Sequence, residues 1–164
     1  PERTAHLNHE EGRGARSASG LRLISTQTSG ADRIPMTQHP IAAWHACARA
    51  RDPHALDALL DEDAVFLSPI VHTPQRGRRL VRAYLSAAFE VFFNPSFRYV
   101  REIVSDTDAM LEFEVDIDGT YVNGVDLIKW NPAGHIIEFK VMLRPLKAIQ
   151  LVHERMAASL QRGA

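Results

Sequence analysis

The stretch that decides the fold is GVDLIKWNPAGHIIEFKVMLRP, which runs from Gly124 to Pro145. Apolar residues recur on both sides of NPAG, and this pattern predicts two antiparallel strands joined by a turn. A carboxylate, Asp126, lies inside the first strand between Val125 and Leu127. An acidic side chain in such an apolar strand needs a physical reason, and that reason bears on function.

Strand geometry predicts where Asp126 points. Side chains alternate between the two faces of a strand, so Asp126 shares a face with Ile128 and Trp130. Lys129 lies on the opposite face, where water or a partner would be favourable. We therefore expect Asp126 to point inward. Burial in apolar surroundings raises the pKa of a carboxyl, so a neutral Asp126 could donate a hydrogen bond near pH 7.

Helical periodicity dominates the chain before this stretch. Apolar residues at helical spacing predict an amphipathic helix over residues 40 to 51. Asp52 is expected to cap a short second helix that begins at Pro53. The segment DEDAVFLSP then predicts a short strand, and a third helix is predicted from about residue 78 to residue 93.

The period changes to two after the third helix. MLEFEVDIDG is the clearest strand, and Asp118-Gly119 predicts a tight hairpin turn. The next strand contains Asn123-Gly124, which is expected to form a bulge or a sharp bend. A last helix is predicted over residues 146 to 160. Helices followed by four antiparallel strands indicate an α+β fold, with helices packed on a curved antiparallel sheet.

Composition fits one domain with a polar extension. The chain has 164 residues, 45% hydrophobic and 24% charged, and a formal net charge of -1, which predicts neither a nucleic-acid partner nor a membrane partner. Residues 1–36 are polar and are expected to be disordered or loosely packed, before a domain over residues 37–164. Cys47 is the single cysteine, and a cytoplasmic location is expected.

Three segments resemble the nuclear transport factor 2-like superfamily, and in particular its SnoaL-like members. They are WHACARARDPHALDALLDEDAVFLSP (residues 44–69), G..LVRAYLSAAF (residues 77–89) and GVDLIKWNPAGHIIEFKVMLRPLKAI (residues 124–149). The resemblance implies a cone-shaped barrel with an internal apolar pocket. It also implies a homodimer through the outer, charged face of the sheet, which would otherwise be a solvated surface. The fold hosts cyclases, isomerases, dehydratases, epoxide hydrolases and binding proteins, so it does not choose among them.

The resemblance to ketosteroid isomerases of this superfamily places Asp126 at the position of their oxyanion-stabilising acid. Their other two catalytic positions differ here, because Ser68 stands in place of the general base and Trp44 in place of the donor tyrosine. An epoxide-hydrolase-like site would need Arg101 to face inward beside Asp126. Asp126 also has a structural interpretation, a hydrogen bond to Trp44 or His45 of the first helix.

The candidate site residues follow from these placements. Asp126 is the candidate acid, and His45 or His72 is its candidate catalytic partner. Neither a cofactor nor a metal is expected, because the chain has no glycine-rich phosphate loop and no metal-ligand spacing. The candidate ligand-binding residues are Trp44, Phe66, Ser68, Tyr84, Phe113, Ile128, Trp130, Phe139, Val141 and Leu143.

Three functions remain open at this point. The first is binding of a small apolar molecule in the cone cavity. The second is a cofactor-free isomerase, cyclase or dehydratase that uses Asp126 as its acid. The third is a homodimeric interaction module whose cavity is filled by its own side chains. Cavity size and the hydrogen-bond partners of Asp126 separate them.

Overall fold

The computed structural model describes residues 39–163. The helices and strands, in chain order, are α1 (Pro40–Ala50), α2 (Pro53–Leu59), β1 (Leu60–Leu67), β2 (Gln75–Arg76), α3 (Arg78–Phe92), β3 (Arg98–Val104), β4 (Asp108–Ile117), β5 (Thr120–Trp130), β6 (Ile136–Arg144) and α4 (Leu146–Arg162). The three longer helices begin and end within two residues of their predicted boundaries. The predicted extension over residues 1–36, and both ends of the predicted domain over residues 37–164, lie outside the described residues.

The strands of residues 39–163 form one curved sheet in the order β2-β1-β6-β5-β4-β3. Strands β3 to β6 form the predicted antiparallel meander, and the α+β class is confirmed. Two details differ from the expected antiparallel barrel. β1 pairs parallel to β6, with Phe66 opposite Phe139, so the sheet is mixed. A parallel neighbour needs a long crossover connection, here α3 and the meander. The sheet is also not closed, and its open edges are β2 and β3.

The hairpin between β4 and β5 forms at the predicted Asp118-Gly119 turn. Both residues have positive φ, 51° at Asp118 and 75° at Gly119, as a two-residue turn of the primed type requires. Ile117 pairs with Thr120 directly across the turn. The turn sets the register of β4 and β5, and this register places Asp126 opposite the buried Leu111.

The expected bulge at Asn123-Gly124 is absent, because β5 pairs through both residues without a register shift. The glycine serves a packing purpose instead. A methyl group at Gly124 would lie 2.7 Å from Cδ2 of Leu143 and closer still to the ring of Phe113. Phe113 is 2% exposed, so its ring has little room to move. Glycine is therefore needed so that these two side chains can close over the strand.

The helices cover the inner face of the sheet and supply ten of the 24 buried residues of the core cluster within residues 39–163. Trp44 of α1 packs against Phe139 of β6 and Phe89 of α3, with ring centroids 4.8 and 6.0 Å apart. All three residues are buried, and aromatic side chains of this size contribute the most apolar area to a core. None of the helices in residues 39–163 is long and apolar enough to cross a membrane.

We predict that Gly124→Ala lowers the free energy of unfolding by about 1–3 kcal/mol, because the added methyl group overpacks the space filled by Phe113 and Leu143. Chemical denaturation of the purified protein measures this difference. The matched control is Gly163→Ala, whose new methyl group would meet its nearest atom at 3.9 Å. Equal free energies of unfolding for the two variants would show that the close approach at Gly124 does not affect stability.

Candidate functional site

Asp126 faces the interior, as the strand alternation predicts. It is 6% exposed, while Lys129 on the opposite face is exposed. Its neighbours across the sheet are Leu111 of β4 and Val141 of β6, both buried and apolar. A carboxyl in this position has exchanged water for hydrocarbon on several sides, and this favours its neutral form.

Two hydrogen bonds in series connect Asp126 to the first helix. The Tyr99 hydroxyl donates to Oδ2 of Asp126 at 3.2 Å, and the Trp44 indole Nε1–H donates to that same hydroxyl at 3.1 Å. The hydroxyl is thus both donor and acceptor, and the Trp44–Tyr99–Asp126 chain joins α1, β3 and β5. The predicted direct bond from Trp44 to Asp126 is wrong, because Tyr99 lies between them. Oδ1 of Asp126 makes no hydrogen bond to a described residue.

Burial is the main influence on the titration of this pair. It raises the pKa of Asp126 to about 7, and the hydrogen bond from Tyr99 opposes this shift without cancelling it. Burial also raises the pKa of Tyr99 well above its ordinary value, and the adjacent Asp126 adds to that effect. Tyr99 is therefore a protonated donor under all ordinary conditions, whereas Asp126 changes between acid and carboxylate near neutral pH.

Tyr99 is the site residue that the sequence interpretation missed. Its alternation with Phe97, just before β3, indicated an inward side chain, but the same alternation also placed Arg101 inward. A register shift between Tyr99 and Arg101 separates them. Tyr99 stays on the inner face, while Arg101 lies across from Glu112 and pairs with it at 3.3 Å. Arg101 is 66% exposed, so the epoxide-hydrolase-like pairing with Asp126 does not form.

The two candidate catalytic histidines lie away from the carboxyl. The His45 ring contacts the edge of Tyr99 with centroids 5.3 Å apart, and its Nε2 lies 3.1 Å from Oε2 of Glu102. It therefore reaches Asp126 through Tyr99 and not directly. His72 is exposed in the loop after β1, outside the residues that line either internal cavity.

A hollow of about 30 Å³ adjoins Asp126. Its wall is formed by Trp44, Leu85, Ala88, Phe89, Phe92, Phe93, Phe97, Phe113, Asp126, Phe139 and Val141. This volume accommodates one or two water molecules, whereas small-molecule sites usually measure several hundred cubic ångströms. Four of the candidate ligand-binding residues, Trp44, Phe113, Phe139 and Val141, belong to this wall. A ligand could reach Asp126 only if some of these side chains moved.

A second cavity of about 180 Å³ lies between β1, α3 and α4. Phe66, Ser68, Tyr84 and Val141 line it, so three further candidate ligand-binding residues belong here. The two cavities share Ala88, Phe92 and Val141 as a wall. Together they form a mostly apolar interior space that is divided by a few side chains.

Three candidate ligand-binding residues contribute to packing and line neither cavity. Trp130 is buried and contacts the His39 ring edge-on at 5.8 Å. Ile128 is 1% exposed within the core, and Leu143 closes over Gly124. No group of three His, Cys, Asp or Glu side chains within residues 39–163 is arranged to hold a metal ion.

Comparison with known proteins identifies the family of this chain. A family model described as SnoaL-like domain matches residues 41–140. A steroid delta-isomerase from Pseudomonas aeruginosa is 32% identical, with a TM-score of 0.71 over 78% of this chain and 96% of its own. A protein with a cystatin-like fold from Silicibacter pomeroyi DSS-3 is 33% identical, with a TM-score of 0.69 over 75% of this chain and 86% of its own.

A more distant likeness concerns the fold alone. An NTF2-like protein from Mesorhizobium loti is 21% identical, with a TM-score of 0.56 over 65% of this chain and 88% of its own. No curated protein matches this chain. Because the family model spans most of the described residues and two solved structures share about a third of the sequence, the chain belongs to the SnoaL-like domain family, with an NTF2-like, cystatin-like fold.

Proposed function

We propose that this protein binds a small apolar molecule that carries one hydrogen-bond acceptor, such as a ketone oxygen. The observation that carries the proposal is the buried Asp126 side chain, which lines an apolar hollow and has only its Oδ2 hydrogen-bonded by a described residue. Tyr99 holds the other oxygen, so the carboxyl is oriented before any ligand arrives. Sites of this kind combine an apolar wall with a small number of placed polar groups.

The interior offers little room in this conformation, and this limits the size of the ligand. The hollow and the second cavity measure about 30 and 180 Å³. Rotation of Phe92, which lies between them, would join the two spaces into one apolar chamber. A ligand of one or two small rings is the size that such a chamber accommodates. A larger molecule would have to displace α4, whose residues line the second cavity.

The proposal requires a neutral Asp126, and protein stability reports that state. The carboxyl has its ordinary pKa of 3.8 when unfolded and a pKa of about 7 when folded. Between these values the unfolded chain loses the proton while the folded chain keeps it. The free energy of unfolding therefore falls by about 1.4 kcal/mol per pH unit in this window, and the Asp126 contribution levels off above pH 7.

We predict that Asp126→Asn removes this contribution. The stability of the wild type relative to this variant should fall by about 3 kcal/mol between pH 5 and pH 8. Urea denaturation at a series of pH values measures the difference, and Asp106→Asn at an exposed position is the matched control. A difference that does not change with pH would show that the buried carboxyl has no raised pKa and would remove the neutral donor from the proposal.

Binding itself is tested with cyclohexanone labelled with ¹³C at the carbonyl. If only the neutral acid donates to the ketone, the apparent Kd of the wild type rises about tenfold between pH 6 and pH 8. Asp126→Asn keeps an N–H donor, so its affinity should be independent of pH. With Asp126→Leu, the carbonyl chemical shift of cyclohexanone should not change when protein is added. No shift for the wild type at any pH would contradict the proposal.

A second candidate function is catalysis, favoured by the 32% identity to a steroid delta-isomerase. Asp126 would act as an acid on a ketone or an epoxide. The Ser68 hydroxyl accepts hydrogen bonds from the backbone N–H groups of Ile70 and Val71, at 3.1 and 3.2 Å. It thus shapes a turn and does not supply a base, so isomerisation would need a different proton acceptor.

Turnover of a panel of cyclic ketones and epoxides tests this candidate. For an acid-catalysed reaction we expect a rate at least a hundredfold lower for Asp126→Asn than for the wild type. Asp106→Asn should keep the wild-type rate. Equal rates for wild type and Asp126→Asn would remove Asp126 from the chemistry and leave binding as the function.

We also propose that two copies associate through the outer face of the sheet. Ile103, Tyr121 and Met142 are 61%, 50% and 56% exposed on that face or its edge. Ion pairs interrupt the apolar residues, including Arg98 with Glu114 and Arg101 with Glu112. A two-fold interface brings the same face of both copies together, and charges of both signs on that face allow unlike charges to meet across the axis. Association through this face would also be expected of an interaction module, the third possible function.

We predict that Met142→Glu shifts the protein toward the monomer, because it places a charge at the centre of this face. Light scattering after size-exclusion chromatography measures the mass across a concentration series. Leu146→Glu is the matched control, since Leu146 is 70% exposed at the start of α4. A wild type that is monomeric at all concentrations, or equal masses for both variants, would contradict this interface.

A further inference from the structure

A surface groove of about 540 Å³ runs between α1 and the edge strand β3. One side consists of His45, Ala48, Arg49 and Arg51, and the other side includes Arg98, Tyr99 and Glu102. We call it the lateral groove. Its volume lies in the range of ordinary ligand sites, unlike either internal cavity. Tyr99 borders this groove and also donates its hydrogen bond to Asp126.

Two aromatic rings separate the lateral groove from the hollow. Phe93 and Phe97 line both spaces, and they stack with centroids 4.1 Å apart and an interplanar angle of 23°. Both are half-buried. The backbone that carries them is fixed, because the Asn94 side chain donates to the Asp116 carbonyl at 2.7 Å. A path from solvent to Asp126 through the groove would pass between these two rings.

The charges around the groove favour an anion. Arg49 and Arg51 are exposed, and neither forms an ion pair with a described residue. Arg98 pairs with Glu114, and the one carboxylate of the groove, Glu102, lies against His45. Two guanidinium groups of the groove thus have no ion-pair partner within residues 39–163. Guanidinium groups bind carboxylates through paired N–H donors.

We infer that the lateral groove is the entrance to the interior and the anchoring site for one end of an amphipathic ligand, a keto acid. Its carboxylate would bind Arg49 and Arg51, its apolar body would lie against Phe93 and Phe97, and its carbonyl would reach Asp126. This inference rests on the proposed function, since it assumes that the interior binds an acceptor. It adds the chemical class of the ligand, an apolar ring with an acidic arm.

The test compares cyclohexanone with 3-(4-oxocyclohexyl)propanoate, which adds an acidic arm to the same ring. We expect the keto acid to bind at least tenfold more tightly than the ketone at low ionic strength, with an advantage that decreases as salt is added. The double variant Arg49→Gln/Arg51→Gln should abolish this advantage without changing the affinity for cyclohexanone. The double variant Arg79→Gln/Arg155→Gln removes the same charge from exposed positions outside the groove and should bind both probes like the wild type.

The possible failures are distinguishable. If cyclohexanone binds but the keto acid has no advantage, or both double variants lose it equally, the anchoring site is refuted and the proposed function stands. If neither probe binds, the proposed function fails as well. Phe97→Leu should speed association of cyclohexanone, measured by NMR line shape, because it opens the ring pair between the lateral groove and the hollow. An association rate that Phe97→Leu leaves unchanged would show that the ligand does not enter past this ring and would overturn the inference.

Discussion

The Tyr99 hydroxyl is the contact on which the organisation of the site depends. It accepts from Trp44 on the first helix and donates to Asp126 on the central strand β5. A hydrogen bond to a charged partner contributes about 1.5–3 kcal/mol, whereas a buried carboxylate that has lost its water costs more. The pKa of about 7 shows that burial outweighs the hydrogen bond. The carboxyl is therefore fixed in position, and it changes between its neutral and ionised forms near neutral pH.

Local periodicity was sufficient to predict much of this arrangement. The alternation of β5 predicted that Asp126 faces inward, and Asp118-Gly119 predicted the turn that sets its register. These features depend on residues close together in the chain. The parallel pairing of β1 with β6 joins residues such as Phe66 and Phe139, which lie far apart. Because periodicity shows which face is buried and not which strands are neighbours, the mixed sheet could not be predicted.

The candidate site was predicted less completely, for a related reason. That Tyr99, and not Arg101, faces Asp126 depends on one irregularity in the pairing of β3 with β4. An extra residue in a strand reverses the faces of all residues beyond it, and alternation alone does not reveal it. The residues that line a cavity are harder still to predict from sequence, because they depend on side-chain rotamers. Leu143 and Phe113 both pack over Gly124 on the inner face of the sheet, yet only Phe113 lines the hollow.

The hollow supplies a proton donor and no separate acceptor among the described residues that line it. Apart from Asp126 its wall is hydrocarbon and the Trp44 indole, whose N–H is bonded to Tyr99. With a pKa of about 7, roughly half of the Asp126 carboxyls are ionised at neutral pH, so this group could donate a proton in one step and accept one in the next. A reaction that needs two distinct groups at once would lack one of them here. Reversible proton exchange with a single bound carbonyl compound, or binding without reaction, is what this arrangement of residues permits.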